Sequence, residues 1–369
     1  MGFRQSAVEG VDVNPQFWCG KRVLITGHTG FKGSWLALWL HRLGASVVGY
    51  SLSAPTNPSL FEIARVSEGI ESITGNVRDL SHLAAVMEKA RPQLVIHMAA
   101  EAIVRRSYAA PVETYATNVM GTVNLLEAIR LNLGPRAVIV VTSDKCYENK
   151  EWVWAYRENE ALGGRDPYSS SKACAEMVTA LYREAFFNGV PEDRYVAVAT
   201  VRAGNVLGGG DWGQDRLIPD IMRSVQENRP VKIRNPNAIR PWQHVLEALD
   251  GYLILAERLW TDGRRFSEAL NFGPDPTASR SVRWVADRVQ DLWGQGLRWE
   301  QDSGSHPREA NSLHLDSTKA SRMLGWAPRL TLEEALEKVV SWYRALAEDR
   351  DMRQVTLKQI SAYEEIQKS

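Results

Sequence analysis

Cysteine is scarce in this chain. Only three of its 369 residues are cysteines, Cys19, Cys146 and Cys174. An odd number without a Cys-x-x-Cys spacing argues against a disulfide framework and against a zinc site. We therefore expect no structural cross-links and no bound metal.

The chain also has no formal net charge, because its 44 basic residues balance 44 acidic ones. This balance argues against a general attraction to nucleic acid or to anionic membranes. No apolar stretch approaches the roughly 20 residues needed to cross a bilayer. The beginning of the chain mixes charges and prolines and lacks the apolar core of a secretory signal. We expect a cytoplasmic protein with neither a nucleic-acid nor a membrane partner.

What the first half does contain is a regular alternation of short β-branched runs and helix-length amphipathic segments. The predicted strands are 22–26, 46–50, 94–98, 138–142 and 196–201, and the predicted helices are 31–43, 80–91, 112–133 and 169–187. Apolar runs of this kind are typical of buried parallel strands. Strict alternation predicts an α/β fold with a doubly wound parallel sheet of Rossmann type.

The texture of the chain changes after Gly204, where glycine- and proline-containing loops become frequent, among them 208–213 and 271–274. We expect residues 17–205 to form a dinucleotide-binding domain, rejoined by about 240–270. Residues 206–239 and 271–350 are expected to form a smaller mixed α/β substrate domain. Its final helix is predicted over 332–347, and 351–369 are interpreted as a C-terminal tail.

A glycine-rich turn follows the first predicted strand and opens a helix, with Gly27, Gly30 and Gly33 at intervals of three. In this context glycines permit a tight turn and the close approach of a pyrophosphate to the helix N-terminus. The second strand ends at Tyr50-Ser51, without the acidic residue that would hold a ribose 2′-hydroxyl and without an arginine for a 2′-phosphate. NAD is the favoured cofactor. Asn76 is interpreted either as an adenine contact or as a turn residue.

Tyr168 and Lys172 are one helical turn apart, so both project from the same helix face. A lysine ammonium beside a phenol is expected to lower the pKa of the phenol. Ser143, Asp144 and Lys145 follow another apolar run. The additional acid and amine suggest more proton transfers than a simple oxidation needs, which favours a dehydratase.

On these motifs the chain resembles the extended short-chain dehydrogenase/reductase family, and within it the nucleotide-sugar 4,6-dehydratases. The resemblance runs from Phe17-Trp18 to about Trp342. The segments that carry it are 27–33, 142–147, 149–152, 156–160, 201–206 and 239–245. Lys145 stands where the dTDP-glucose relatives carry a glutamate base, and this points to the CDP-sugar branch. Glu101-Ala102 replaces the glutamine and proline usual in that branch, so a different nucleotide hexose stays an alternative.

The resemblance implies a three-step reaction on a CDP-hexose with NAD kept bound. Tyr168 would take the C4 hydroxyl proton during oxidation at C4, water would leave across C5 and C6, and hydride would return to C6. Ser143 would bond the C4 oxygen and Asp144 would protonate the departing hydroxyl. Lys145 would act either as the C5 base, with a depressed pKa, or electrostatically on the enolate. Such dehydratases feed deoxysugars into surface polysaccharide such as the lipopolysaccharide O-antigen.

The same resemblance implies two sets of binding residues. The cofactor set is Gly27, Thr29, Gly30, Phe31, Lys32, Gly33, Asn76, Val77, Ala99, Ala100, Tyr168 and Lys172. The substrate set is Glu101, Arg106, Asn205, Arg216, Arg240, His244 and Arg308. Arg234 is interpreted as a solvated charge.

A homodimer or homotetramer is implied, with 112–133 and 169–187 as paired helices. Rival hypotheses are a nucleotide-sugar epimerase or reductase of the same family, and a catalytically silent NAD-binding protein.

Overall fold

The computed structural model describes residues 11–132, 134–294, 296–304 and 312–366. The strands are β1 Arg22–Thr26, β2 Ser46–Ser51, β3 Glu71–Thr74, β4 Leu94–His97, β5 Ala137–Val141, β6 Ala197–Ala203, β7 Asn205–Leu207, β8 Val231–Ile233, β9 Ile239–His244, β10 Ala269–Phe272, β11 Ser279–Ser281 and β12 Trp299–Gln301.

The α-helices are α1 Pro15–Trp18, α2 Phe31–Arg42, α3 Leu60–Ile63, α4 Leu80–Ala90, α5 Val104–Ala109, α6 Pro111–Tyr115, α7 Gly121–Asn132, α8 Pro167–Tyr182, α9 Leu217–Gln226, α10 Val245–Phe266, α11 Val282–Trp293, α12 Thr318–Leu324, α13 Leu332–Ala347 and α14 Met352–Ile366. Short 3-10 helices are Asp144–Cys146, Glu192–Arg194 and Pro276–Ala278, and π-helical turns are Ala116–Met120 and Arg183–Phe187.

Seven parallel strands form the central sheet in the order β10-β6-β5-β4-β1-β2-β3. The strand order reverses between β1 and β4, which is where open α/β sheets bind ligands beyond the carboxyl ends of their strands. The segments that follow β1, β4, β5 and β6 therefore meet at one edge of the sheet. This confirms the predicted fold class.

Apolar side chains cover both faces of this sheet. Along β1, Val23 and Ile25 belong to one core and Leu24 to the other, as the two-residue period of a strand requires. Leu249 of α10 packs on the first face and Leu125 of α7 on the second. Burial on both faces explains why the strands read as uninterrupted apolar runs.

Two smaller sheets lie outside the central one, with the orders β11-β9-β7 and β12-β8. Strand β7 begins two residues after β6 ends, so the chain passes directly from the central sheet into the smaller one. This passage brings Asn205 to the sheet edge that carries the site.

The predicted loop at 271–274 is wrong at its start, because Asn271 belongs to the edge strand β10. Its side chain is fully buried. The amide donates to the carbonyl oxygen of Tyr156 at 2.9 Å, and its oxygen accepts from the Tyr147 hydroxyl at 2.7 Å. Because these hydrogen bonds satisfy the buried side-chain amide, Asn271 can lie within a strand.

The predicted tail at 351–369 contains the helix α14. Its buried residues Met352, Thr356, Ile360 and Tyr363 follow a helical spacing, and the Tyr363 ring lies edge-on to Trp39 of α2 at 5.8 Å between centroids. The helix was not predicted, because a single narrow apolar stripe in an otherwise polar segment is a weak sequence signal. Among the described residues, no helix is long and apolar enough to cross a membrane.

Candidate active site

The glycine turn connects β1 to α2. Gly27 has φ of +80°, and a Cβ there would lie 2.7 Å from the backbone nitrogen of Ala99. A Cβ on Gly33 would lie 2.2 Å from the carbonyl oxygen of Gly27. Only glycine fits both positions, and the turn leaves the N-terminus of α2 facing the edge of the sheet, where backbone N–H groups favour an anion.

Neutral side chains support this turn. The Thr29 hydroxyl is hydrogen-bonded to Ser51 at 2.8 Å and donates to the carbonyl oxygen of Leu52 at 3.0 Å. The His28 ring nitrogen Nε2 lies 2.7 Å from the Ser72 hydroxyl, and burial lowers the pKa of His28 to about 4. The histidine is therefore uncharged at neutral pH.

Asp144 follows β5 and has a buried side chain. The Ser143 hydroxyl donates to Asp144 Oδ1 at 2.9 Å and also accepts from the backbone N–H of Lys145 at 3.2 Å. Burial raises the pKa of Asp144, and the opposing effect of Lys145 does not cancel it. The carboxyl therefore keeps its proton to higher pH than an ordinary aspartate does.

Tyr168 lies at the start of α8, buried, with its hydroxyl next to that of Ser143. Burial raises the pKa of Tyr168 to about 12, so the expected lowering of this pKa by Lys172 is wrong. The Lys172 ammonium donates instead to the carbonyl oxygen of Val141 at 3.1 Å, and burial lowers its pKa to about 8. Desolvation outweighs the neighbouring charge. The Lys145 ammonium lies 5.9 Å from the centroid of the Tyr168 ring.

An ion pair that the sequence analysis missed lies behind these residues. Arg202 of β6 pairs with Glu176 of α8 at 2.8 Å, and both side chains are only 3% exposed. Glu176 also accepts a hydrogen bond from Thr142, the residue before Ser143. The spacing of Tyr168, Lys172 and Glu176, four residues each, was a signal that could have placed Glu176 on the same helix face.

Asn118 is a second residue that sequence reasoning missed. Its amide donates to the carbonyl oxygen of Glu101 at 3.0 Å and to the Ser171 hydroxyl at 2.8 Å, and its oxygen accepts from the Glu101 N–H at 2.8 Å. It lies in a π-helical turn inside the predicted helix 112–133. A π turn has no simple periodicity in sequence, which explains the omission.

Arginines and carboxylates alternate around the opening of the site. We call this set the arginine rim; it consists of Glu101, Arg105, Arg106, Asp211, Asp215, Arg216 and Arg234. The ion pairs are Arg106 with Glu101 at 3.0 Å, Arg216 with Asp211 at 3.0 Å, and both Arg105 and Arg234 with Asp215 at 3.0 and 2.9 Å. The interpretation of Arg234 as a solvated charge is wrong, because its side chain is 21% exposed and ion-paired.

These elements enclose one cleft of about 1640 Å³. The predicted site residues that line it are Gly27, Thr29, Gly30, Phe31, Lys32, Gly33, Asn76, Val77, Ala99, Ala100, Glu101, Arg106, Ser143, Asp144, Lys145, Tyr168, Lys172, Asn205, Arg216 and Arg240.

Two residues of the predicted substrate set are not among them. His244 is buried at the end of β9, where it accepts a hydrogen bond from the Leu246 N–H at 3.3 Å and lies edge-on to Trp35. It caps α10 and is not part of the cleft wall. Arg308 lies outside the described residues.

The residues present fit NAD. The glycine turn offers its N–H groups to a pyrophosphate, and Ser51 closes β2 without a charge. The side-chain oxygen of Asn76 accepts a hydrogen bond from the Arg78 N–H at 3.0 Å, which agrees with the interpretation of Asn76 as a turn residue. Asn76 also lines the cleft, so a contact with adenine stays a prediction.

The NAD dependent epimerase/dehydratase family matches residues 23–267, more than half of the chain. The chain therefore belongs to this family. It is similar to the CDP-glucose 4,6-dehydratase of Salmonella typhimurium, with 52% identity over 352 residues, 95% of this chain and 98% of that protein. It is 26% identical to the UDP-glucose 4-epimerase of Mycolicibacterium smegmatis over 88% of this chain and 98% of that protein.

Among solved structures, the dTDP-glucose 4,6-dehydratase of Bacillus anthracis in complex with NAD has a TM-score of 0.73 and 21% identity, covering 90% of this chain and 100% of that chain. At this identity the likeness shows the fold. The matches confirm the predicted resemblance, the fold class and NAD as the cofactor.

Proposed function

We propose that this protein is an NAD-dependent nucleotide-sugar 4,6-dehydratase that converts CDP-D-glucose to CDP-4-keto-6-deoxy-D-glucose. The observation that carries the proposal is the buried Asp144 carboxyl, which shares Ser143 with Tyr168 and is followed by Lys145. An oxidation alone needs no such acid. The 52% identical CDP-glucose 4,6-dehydratase supports the choice of reaction and of nucleotide.

Tyr168 and Ser143 act on the C4 hydroxyl of the sugar. Tyr168 removes its proton and Ser143 donates a hydrogen bond to the C4 oxygen. When bound, NAD⁺ accepts hydride from C4 and later returns it to C6, and its positive charge favours the tyrosine phenolate. Burial raises the pKa of Tyr168 to about 12, which opposes formation of the phenolate.

Asp144 supplies the acid for loss of water. Once C4 is a ketone, the hydrogen on C5 becomes acidic and the C6 hydroxyl can leave. Because burial raises its pKa, the Asp144 carboxyl keeps its proton to higher pH than an exposed aspartate, which suits it to donate that proton to the leaving hydroxyl. An aspartate in water would have lost this proton well below neutral pH.

Lys145 serves the same elimination, either by taking the C5 proton or by stabilising the negative charge that develops on the C4 oxygen. We expect Lys145→Ala to block dehydration while oxidation at C4 persists, so that absorbance at 340 nm from the reduced cofactor accumulates. Lys150→Ala is a matched control, because its exposed ammonium stacks on Trp152 outside the cleft. Normal dehydration by Lys145→Ala would exclude both roles.

The arginines of the arginine rim, together with Arg240, bind the diphosphate. Arg105 and Arg234 both donate to the single oxygen Oδ1 of Asp215, an arrangement that a phosphate oxygen can take over. These ion pairs are partly exposed, and pairs in contact with water contribute only about 0–1 kcal/mol, so a doubly charged diphosphate can displace the carboxylate at small cost. Asn205, which lines the cleft, would contact the phosphates or the sugar of the substrate.

A second copy of the chain is the proposed oligomeric partner. Helices α7 and α8 pack together, and they and the π-helical turns beside them expose large apolar side chains, namely Met120, Leu131, Met177, Leu181 and Phe186. Leu181 is 60% exposed. Pairing two such faces would bury an apolar patch that a monomer leaves in water. Light scattering on Leu181→Glu should show a smaller species than the unaltered protein, and an unchanged mass would reject this interface.

Mass spectrometry after incubation with CDP-, dTDP-, UDP- and GDP-hexoses tests the function. Loss of one water from CDP-glucose alone is the expected result. Loss of water from another nucleotide sugar would keep the reaction and change the substrate. An isomer of unchanged mass, separated by chromatography, would instead identify an epimerase.

A further inference from the structure

Asp215 differs from the other two carboxylates of the arginine rim in how it is held. The carboxylates of Asp211 and Glu101 each accept a hydrogen bond from a nearby backbone N–H, at 3.0 and 3.3 Å. Among the residues that the structure describes, only Arg105 and Arg234 donate to the carboxylate of Asp215. Its side chain is also 31% exposed, against 9% for Asp211 and 13% for Glu101. Asp215 is therefore the carboxylate of the rim that can leave most easily.

The two arginines that hold Asp215 come from different parts of the fold. Arg105 belongs to α5, which follows β4 of the central sheet, and Arg234 directly follows β8 of a smaller sheet. Both guanidinium groups donate to the same oxygen, Oδ1, at 3.0 and 2.9 Å. All three side chains line the cleft. The carboxylate therefore connects the two parts of the fold at the place where a ligand binds.

Two guanidinium groups that share one oxygen lie close enough to repel each other, and the carboxylate between them offsets this repulsion. The arginines are therefore more stable with an anion between them, whether that anion is a carboxylate or a phosphate. Ion pairs in contact with water are weak, so the carboxylate can be displaced. A phosphate oxygen accepts the same charged hydrogen bonds and competes for the same donors.

We propose that Asp215 is an internal competitor of the substrate, whose carboxylate occupies the diphosphate position between Arg105 and Arg234 before substrate binds and returns to it when product leaves. Asp215 thus weakens the binding of every ligand whose phosphates use these two arginines. It also gives the arginines an anionic partner as the product departs, which favours release. The identity of the ligand as a nucleotide sugar rests on the proposed function, whereas the competition between two anions does not.

The backbone of Asp215 determines which substitution tests this role. Its φ of +59° lies in the left-handed region, which asparagine and glycine adopt more readily than other residues. Asp215→Asn therefore removes the charge without adding backbone strain or changing the size of the side chain. Asp215→Gly is a second uncharged variant if the asparagine protein does not fold. Asp316→Asn is the matched control, because Asp316 pairs with Arg157 at 3.0 Å away from the cleft lining.

Calorimetry on the full chain at pH 7 measures the dissociation constants for CDP and, separately, for NAD⁺. For Asp215→Asn we expect CDP to bind about three- to tenfold more tightly, because two weak ion pairs no longer have to be broken. The affinity for NAD⁺ should stay close to that of the unaltered protein, since its pyrophosphate belongs at the glycine turn. Asp316→Asn should change neither constant. Inorganic pyrophosphate, which has no base, replaces CDP if the cleft prefers another nucleotide.

Unchanged or undetectable binding of both CDP and pyrophosphate in Asp215→Asn would overturn the proposal, because the phosphates would then not use these arginines. Weaker binding would also overturn it, because Asp215 would then orient the arginines for the ligand. Equal tightening of CDP and NAD⁺ would mean a general effect of charge and not competition at one position. Failure of the unaltered protein to dehydrate any nucleotide sugar would refute the proposed function and leave this comparison of affinities valid.

Discussion

The two ends of the cleft differ in how their charged groups are arranged. At the cofactor end, glycines, hydroxyls and the neutral His28 surround the turn, and the Arg202–Glu176 ion pair behind it is buried. At the arginine rim, every carboxylate is shared with a partly exposed arginine. The first arrangement holds a resident cofactor in one geometry. At the arginine rim, the substrate diphosphate can replace a carboxylate as the partner of an arginine, which suits a substrate that binds and is released.

If the cofactor end performs the redox chemistry, the largest loss should come from Tyr168→Phe. Removing a general base typically costs between a hundredfold and ten-thousandfold, and we expect kcat to fall about a thousandfold with little change in the affinity for NAD. Formation of reduced cofactor at 340 nm under single-turnover conditions measures the step. Tyr182→Phe, on the same helix but outside the cleft, is the control. Full activity of Tyr168→Phe would remove this residue from the base role.

The ion pair behind the cofactor end should matter more for stability than any pair of the surface. Arg202→Met leaves Glu176 buried without its partner, and breaking such a pair costs about 3–5 kcal/mol. The matched control is Arg130→Met, because the Arg130–Glu127 pair is partly exposed and should cost about 0–1 kcal/mol. Urea unfolding followed by circular dichroism compares the two. Equal midpoints for both variants would show that burial does not distinguish them.

The same contrast explains how much could be predicted from sequence. The cofactor end depends on local signals, since β1 runs straight into the glycine turn and Tyr168 and Lys172 share one helix face. Strands β1, β2, β4, β5 and β6 were therefore predicted close to their observed bounds, and the predicted cofactor-binding residues line the cleft, while their role in binding stays a prediction. The pKa of Tyr168 was not predicted correctly, because residue spacing indicates which charges are near but not how much water is excluded.

Glu101, Arg106 and Arg216 of the arginine rim were in the predicted substrate set, but the two ion pairs to Asp215 were not predicted, because their partners are distant in sequence. Arg105 and Asp215 are 110 positions apart, and nothing near either residue indicates the other. His244 shows the reverse problem. It belongs to a motif typical of the family, but a strand end that caps a helix directs its ring into the core, next to Trp35. Motif membership identified the segment and could not assign the orientation of each side chain.

A smaller effect, of a different kind, is expected at the substrate end. Arg240→Met removes a guanidinium from the cleft wall on β9, and a charged hydrogen bond contributes roughly 1.5–3 kcal/mol, so KM for CDP-glucose should rise about tenfold to a hundredfold. Because the diphosphate is held equally before and during reaction, kcat should change little. Arg280→Met is the control, since Arg280 faces Arg240 across the pair β11–β9 but does not line the cleft. A fall in kcat with constant KM would instead mean that Arg240 acts on the reacting sugar, and the division between a cofactor end and an exchanging substrate end would fail.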